Sequence, residues 1–131
     1  MAEIILSNRM QALTDMVTPG TVITDVGCDH GFVSVYLVQK GISPRVIAMD
    51  VRSGPLEHAR EHIREYGLED RIETRLSDGL HSLKTGEAAG MICAGMGGPL
   101  MEKILTEGRE QAKGFRELIL QPQSELSLIH I

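Results

Sequence analysis

Residues 21–31 of the chain read TVITDVGCDHG, and this stretch decides the fold class. Residues 21–27 are mostly apolar and β-branched and alternate poorly, as expected for a strand that is buried on both faces of a parallel sheet. Gly27 and Gly31 then permit a tight turn. The next ten residues, FVSVYLVQKG, predict a helix that is closed by Gly41. A buried strand, a glycine turn and a helix in this order are typical of parallel α/β proteins.

The same alternation continues along the chain. Residues 44–50, 71–76, 89–94 and 117–121 predict four further strands, and residues 53–66, about 80–84 and 99–107 predict the helices between them. A helix capped by Ser7 precedes the first strand, since one helical face collects Leu6, Met10, Leu13 and Val17. We therefore predict an α/β fold, a doubly wound and mostly parallel sheet of about five strands preceded by an N-terminal helix.

Composition limits the function classes. The chain has 131 residues, 42% hydrophobic and 24% charged, which fits one globular domain. Acidic residues outnumber basic ones by 18 to 13, whereas a stand-alone nucleic-acid binder is usually basic, so any such role needs a local patch or a further part of the protein. We expect no membrane span, because no run of residues is long and apolar enough. We expect no metal site, because the two cysteines lack zinc-site spacing. A reducing cytoplasm is expected, because no secretory signal is present.

Ligands of doubly wound sheets bind at the carboxyl ends of the strands. In this chain those ends carry the unusual residues, namely Gly27–Gly31, Asp50, Asp78-Gly79, Gly95–Gly98 and Gln121-Pro122. Compared with the dinucleotide fingerprint G-x-G-x-x-G, Asp29 replaces the second glycine. Its carboxylate would repel a pyrophosphate, so the turn favours a cationic ligand such as S-adenosylmethionine over a nicotinamide dinucleotide.

Two further acids suggest a nucleoside. Asp50 lies 23 residues after Gly27, where an acid can accept hydrogen bonds from ribose hydroxyls. Asp78-Gly79 ends the third predicted strand, where an acid can accept a hydrogen bond from the exocyclic amine of adenine. The alternative is that Asp78-Gly79 is simply a turn, since Asp and Gly are common turn residues.

Several motifs together indicate a family. DVGCDHG, AMD, SDGL, ICAGMGG and LILQPQSE, in this order and after the opening LSNRMQAL, resemble the bacterial tRNA adenine-22 N1-methyltransferase family as far as Glu125. The resemblance implies a Rossmann-like class I methyltransferase that uses S-adenosylmethionine and acts on tRNA, held through regions largely outside this chain. The open alternatives are a class I methyltransferase acting on a small molecule or protein, and an inactive cofactor-binding fragment.

The resemblance also implies where the cofactor would bind. Residues 27–31 would hold its methionine part, Asp50 its ribose, Asp78 and Gly79 its adenine, and residues 94–97 would line the methyl-transfer site. The complete set of candidate cofactor-binding residues is Asp25, Gly27, Cys28, Asp29, His30, Gly31, Asp50, Val51, Asp78, Gly79, Ala94, Gly95, Met96 and Gly97.

The chemistry of the target suggests candidate catalytic groups. N1 of adenine has an available lone pair, so the main requirement is an in-line approach to the methyl group at about 3–3.5 Å. Positive charge then develops on the ring and its amine, and acceptors stabilise it. The candidates are main-chain carbonyls at Ala94 and Gly95 or the Asp29 carboxylate. The Asn and aromatic residue of the Asn-Pro-Pro-Tyr loop in related amino-methyltransferases are missing here.

Other residues have two interpretations. His30 is either a site residue or a cap of the following helix, and Met96 either lines the site or fills a gap. Cys28 is interpreted as a small turn residue rather than a nucleophile, and Cys93 as a core residue. A solvated surface is favoured over a phosphate site for the late basic cluster of Lys103, Arg109, Lys113 and Arg116.

The last residues are interpreted separately. Leu126–Ile131 has the sequence that translation of CTG-TCT-CTT-ATA-CAC-ATC would give, and this string matches a transposon end used in preparing sequencing libraries, although residues 126–128 could be native. We therefore expect a methyltransferase domain at residues 1–125 and a non-native tail at 126–131. A class I methyltransferase sheet has seven strands, so we expect a fragment whose exposed fifth strand favours association or low stability.

Overall fold

The computed structural model of the chain describes residues 4–123 and 129–131. Six strands form one sheet in the order β3-β2-β1-β4-β5-β6. In chain order, the described elements are α1 (Asn8–Asp15), β1 (Ile23–Val26), α2 (Phe32–Gln39), β2 (Val46–Asp50), α3 (Ser53–Glu65), β3 (Ile72–Leu76), β4 (Gly90–Met96), α4 (Gly98–Glu107), α5 (Arg109–Ala112), β5 (Glu117–Pro122) and β6 (Ile129–His130).

The sheet confirms the predicted doubly wound topology. The first five strands pair in parallel, and the chain crosses from β3 at one edge to β4 beside β1, which creates a topological switch point next to β1. The sixth strand goes beyond the predicted five. It pairs antiparallel with β5 through Ile119–His130 and Leu120–Ile129, so part of the β5 edge is covered. This strand lies in the predicted non-native tail, whose residues 126–128 lie outside the described residues.

Helices cover both faces of the sheet, and alternate strand residues divide the core between them. On one face Ile23, Ala48 and Ile92 pack with the buried side chains of α1, α2 and α3. On the other face Val26, Met49 and Cys93 pack with Met101 and Ile104 of α4. Buried β1 and β2 thus have apolar side chains on both sides, which explains why their sequences do not alternate.

Local signals placed the helix starts and stops. Ser7 accepts the Met10 main-chain N–H and caps α1 as predicted, and Gly41 follows α2 with a φ of +71°. In α3 the apolar side chains of Leu56, Ala59 and Ile63 form one stripe and are buried.

The prediction of a helix at about residues 80–84 is wrong. The structure has a turn there, because the Ser77 hydroxyl accepts the Ser82 N–H and donates to the Gly79 carbonyl, which closes the chain on itself after β3. Leu80 and Leu83 anchor this turn in the core. Helix α5 was not predicted. In α4, Met101 and Ile104 are buried, whereas Leu100 is exposed.

Candidate active site at the carboxyl ends of the strands

The turn after β1 winds through left-handed backbone conformations. Gly27, Asp29 and Gly31 have φ values of +74°, +52° and +79°, and Asp29 is the one non-glycine residue with positive φ among those described. The N–H groups of Gly27 and Cys28 both donate to the Met49 carbonyl, at 2.8 and 2.9 Å. The turn is therefore tied to the end of β2, and Asp29 keeps the backbone conformation of the glycine it replaces.

Backbone conformation favours glycine at both positions of the turn, because Gly27 and Gly31 have positive φ values that other residues rarely adopt. At Gly31 a Cβ would also lie 3.0 Å from the Ala59 side chain on α3, so the turn packs tightly against that helix. At Gly27 a Cβ would meet only the terminal methyl of Met96, the far end of a flexible side chain that can move away. The Met96 side chain therefore reaches the turn, and it also packs against the core.

A cavity of about 320 Å³ opens between this turn, the start of α1 and the ends of β4 and β5. Seven of the candidate residues line it together, which are Asp25, Gly27, Cys28, Asp29, Ala94, Gly95 and Met96. At Gly95 a register shift breaks the pairing of β4 with β5, and its φ is +76°. This bulge leaves Gly95 out of the regular ladder, whereas Ala94 still pairs with Gln121, and both residues line the cavity.

The remaining candidates lie elsewhere along the same edge of the sheet. Asp78 and Gly79 line a separate small cavity of about 20 Å³ with Leu100 and Ile104, so the structure does not bring them into the main cavity. Val51 follows β2 with 59% of its surface exposed, and Gly97 is the N-cap of α4.

His30 is not among the residues that line the main cavity. Its ring stacks on His58 with a centroid distance of 5.1 Å, and its carbonyl lies 2.8 Å from Nδ1 of His62. Gly31 is the N-cap of α2 and has no side-chain cap, so the alternative that His30 caps this helix is wrong.

Asp25 is a buried carboxyl in the middle of the sheet. It pairs with Ala48 and Ile92 of the neighbouring strands and accepts a 2.8 Å hydrogen bond from the Ser34 hydroxyl of α2. Burial raises the pKa of Asp25 to about 6 against the lowering effect of this hydrogen bond, and the charges of Asp50 and Asp29 raise it further. Asp25, which lines the cavity, is therefore an acid with a pKa close to neutral pH.

Asp50 is equally buried but differently surrounded. Its side chain is 1% exposed, and it accepts hydrogen bonds from the Asp29 N–H at 3.0 Å, the Arg52 N–H at 2.9 Å and the Arg52 guanidinium at 3.2 and 3.3 Å. Burial acts to raise the pKa of Asp50, but these hydrogen bonds and the Arg52 charge hold it below its usual value. Asp50 is thus a fixed negative charge beside the turn.

The two cysteines are unsuited to nucleophilic chemistry. Burial raises the pKa of the Cys28 thiol far above its usual value, and nearby Asp25, Asp50 and Asp29 raise it further. Burial likewise raises the pKa of Cys93 to about 12. Both residues therefore remain protonated thiols, as their interpretation as turn and core residues requires.

Sequence reasoning missed several residues that line the cavity, namely Arg9, Met10, Val33, Arg52, Ile92 and Gln121. Gln121 stood at an unusual strand end, and that position was the available signal. Arg9 and Met10 lie in the first turn of α1, and only the packing of α1 against α2 brings them to the end of β1. Arg52 follows the predicted ribose acid directly, and its contact with Asp29, at 3.7 Å, depends on the fold of the turn.

The described part of the chain was also examined for other kinds of site. None of its helices is long and apolar enough to cross a membrane. Within residues 4–123 and 129–131, no three His, Cys, Asp or Glu side chains are grouped so that they could hold a metal ion.

Comparisons with known proteins agree with this geometry. The methyltransferase domain family matches residues 6–130. The tRNA (adenine(22)-N(1))-methyltransferase of Bacillus subtilis is 36% identical over 131 residues, which cover the whole chain and 54% of that relative. The chain spans about half the length of the curated relatives it matches first.

Solved structures give the same result. The crystal structure of the Bacillus subtilis M1A22 tRNA methyltransferase is 35% identical with a TM-score of 0.86, and the match covers 92% of this chain and 51% of that one. A Streptococcus pneumoniae protein solved in complex with S-adenosyl-L-methionine is 34% identical with a TM-score of 0.87, covering 90% and 56%. The resemblance carried by the strand-end motifs is thereby confirmed, and the chain belongs to the methyltransferase domain family.

Proposed function

We propose that this chain is the cofactor-binding part of an S-adenosylmethionine-dependent methyltransferase that modifies N1 of an adenine in tRNA. The observation that carries the proposal is the cavity between the left-handed turn at residues 27–31 and the bulge at Gly95, with carboxylates at its floor and rim. The similarity to tRNA (adenine(22)-N(1))-methyltransferases supports the target base. A tRNA substrate also supports a cytoplasmic location.

The residues present fit this cofactor. Gly27 and Gly31 carry no side chain, which lets a ligand lie close to the main chain of the turn. Asp29 presents a carboxylate that is 59% exposed and only loosely paired, at 3.8 Å from His30 and 3.7 Å from Arg52. Negative charge beside the turn favours the ammonium and sulfonium groups of S-adenosylmethionine and disfavours a diphosphate.

Each group at the carboxyl ends of the strands has a proposed role. Asp29 and Asp25 orient the cationic methionine part, and Asp50 accepts hydrogen bonds from the ribose. The main-chain groups at Ala94 and Gly95 lie where the methyl group would leave the cofactor. When bound, S-adenosylmethionine supplies an electrophilic methyl group, whose bond to sulfur breaks as the N1 lone pair of adenine forms the new bond.

The protein's part in the transfer is alignment and charge stabilisation. N1 needs no deprotonation before attack, so no general base is required for the bond-forming step. The developing positive charge on the adenine ring and its amine is stabilised by carbonyl oxygens at the Gly95 bulge or by the Asp29 carboxylate. Asp78 and Gly79 would contact the cofactor's adenine only if the ligand extends past β2 and β3 towards their separate cavity.

Two binding experiments test the cofactor. Calorimetric titration of the 131-residue chain should show saturable binding of S-adenosylmethionine and no binding of NAD. The Asp29→Asn variant should bind S-adenosylmethionine several-fold more weakly, because it loses a negative charge beside the cationic ligand. Unchanged affinity and unchanged turnover of Asp29→Asn would remove Asp29 from the mechanism.

An activity experiment tests the substrate. The longer enzyme that contains this chain should methylate unmodified tRNA, and mapping of the modified base should find N1-methyladenine. Transfer to a small molecule or protein instead of tRNA would retain the methyltransferase activity but replace its substrate.

The origin of the tail has a separate test. Source DNA with codons different from the transposon-end string would show that residues 126–131 are native.

A further inference from the structure

The Asp50 carboxylate has no free hydrogen-bonding position in this structure. A carboxylate offers about four lone-pair positions, two on each oxygen. Oδ1 accepts the Arg52 main-chain N–H at 2.9 Å and the Arg52 Nε at 3.2 Å, while Oδ2 accepts the Asp29 N–H at 3.0 Å and the Arg52 Nη2 at 3.3 Å. A ribose cannot use this acid until one of these donors leaves.

The guanidinium is the donor that can leave. The other two donors are main-chain groups fixed by the turn and by the start of α3, where Arg52 is the N-cap. The Arg52 side chain is 60% exposed and also lines the main cavity, so it can rotate into water without disturbing the core. Water can solvate the guanidinium once it leaves Asp50, and the two main-chain donors remain on the carboxylate, so the contact can be exchanged for other donors.

The positions that the guanidinium would vacate match a ribose. Its departure frees one lone pair on Oδ1 and one on Oδ2, while each oxygen keeps its main-chain donor. The neighbouring 2′ and 3′ hydroxyls of a ribose supply two donors side by side. The guanidinium and the ribose diol therefore compete for the same two positions.

We propose that Arg52 occupies the ribose position in the free protein and competes with the ribose diol of a bound nucleoside for the Asp50 carboxylate. This inference rests on the proposed cofactor site. It implies that Arg52 weakens the binding of ligands that carry a ribose diol, because they must displace the guanidinium, and leaves ligands without a ribose unaffected.

The test compares ligands that carry or lack the diol. Arg52→Gln should bind S-adenosylhomocysteine and adenosine about threefold to tenfold more tightly than the unmodified chain, because the cost of displacing an ion pair is removed. S-adenosylhomocysteine lacks the sulfonium charge, so its gain does not arise from attraction of a cation. Methionine should show no gain, and 2′-deoxyadenosine should show a smaller gain than adenosine.

Two controls separate competition from a general change. Arg45→Gln also removes an arginine from an acid, Glu73 at 2.7 Å, but does so outside the cavity, and it should leave all four affinities unchanged. In the Asp50→Asn background the further change Arg52→Gln should no longer tighten adenosine, since the shared acceptor is gone. Thermal unfolding of each variant verifies that it is folded.

The outcomes are distinct. Unchanged or weaker binding of adenosine and S-adenosylhomocysteine by Arg52→Gln overturns the role of Arg52 while leaving the cofactor site intact. An equal gain for methionine also overturns it, because the effect would then be independent of the ribose. Absence of binding by both the unmodified chain and Arg52→Gln overturns the proposed cofactor site together with this inference.

Discussion

The ends of β1 and β2 place two buried aspartates side by side whose pKa values are shifted in opposite directions. Asp25 has a hydroxyl partner, Ser34, and burial raises its pKa to about 6. Asp50 is just as buried but has an arginine and two main-chain N–H partners, and its pKa lies below the usual value. The comparison shows that burial alone does not decide the direction in which the pKa of an acid at this edge of the sheet is shifted. The donors that the turn and α3 supply to Asp50 decide it.

The largest expected effect comes from removing the Asp50 carboxylate. Asp50→Asn should lower the free energy of unfolding by about 2–3 kcal/mol, because charge-assisted hydrogen bonds to the Asp29 turn and to Arg52 are weakened. Chemical denaturation near neutral pH measures this. Glu73→Gln is the matched control, since Glu73 also pairs with two arginines but is 42% exposed, and it should cost well under about 1 kcal/mol.

A smaller loss is expected from the partner of Asp25. Ser34→Ala should lower the free energy of unfolding by about 1–2 kcal/mol, because it leaves a buried carboxyl without its hydroxyl donor. The control is Ser43→Ala. The Ser43 hydroxyl is also buried but has no hydrogen-bond partner among the described residues, so its removal should be neutral or slightly stabilising. Equal losses in the two variants would contradict the importance of the Ser34–Asp25 bond.

The pH dependence of stability should reveal Asp25 directly. Its pKa of about 6 in the folded state exceeds the ordinary 3.8, so the folded state binds the proton more tightly than the unfolded chain. The stability contributed by this proton is present at low pH and is lost as pH rises through about 6, which amounts to about 1 kcal/mol between pH 5 and pH 7. Urea unfolding at both pH values measures the change. The difference should vanish in Asp25→Asn, and an identical pH profile for both proteins would refute the raised pKa.

The smallest effect is expected at Arg52. Arg52→Gln should change the free energy of unfolding at neutral pH by less than about 1 kcal/mol, because the arginine side chain is largely exposed. The pKa of Asp50 should then move towards its ordinary value. Stability that depends on the charged carboxylate would be lost at a higher pH during acidification, by a fraction of a pH unit. Circular dichroism during acid titration measures this, and an unmoved acid limb would mean that the main-chain donors alone hold Asp50 charged.

Much of the fold was predictable because its signals are local. Glycines at 27, 31 and 41 mark turns that need positive φ, Ser7 marks a helix start, and apolar runs mark strands buried on two faces. The predicted helix at about residues 80–84 failed because side-chain hydrogen bonds from Ser77 stabilise a turn instead. Such bonds compete with helical ones, and composition alone does not reveal which prevails.

The site was predictable to the extent that it consists of strand ends. Seven candidate residues line one cavity because a parallel sheet brings the ends of β1 and β4 together. Asp78 and Gly79 lie at a third strand end but line a separate cavity, since β3 is separated from β1 by β2. Arg9 lines the cavity from α1 because of helix packing, and Gln121 lines it from β5, where its position at a strand end was the available signal.

The amino-acid sequence by itself determined the alternation of strands and helices, the left-handed turn after β1 and the acidic character of the strand ends, because these depend on side-chain periodicity and on backbone conformations that glycine permits. Only the tertiary structure decided in which direction the pKa of each acid is shifted. Burial raises the pKa of Asp25 although the Ser34 hydroxyl, nine residues away, donates to it. The Asp29 N–H, 21 residues from Asp50, and the Arg52 donors hold the pKa of Asp50 below its usual value despite its burial.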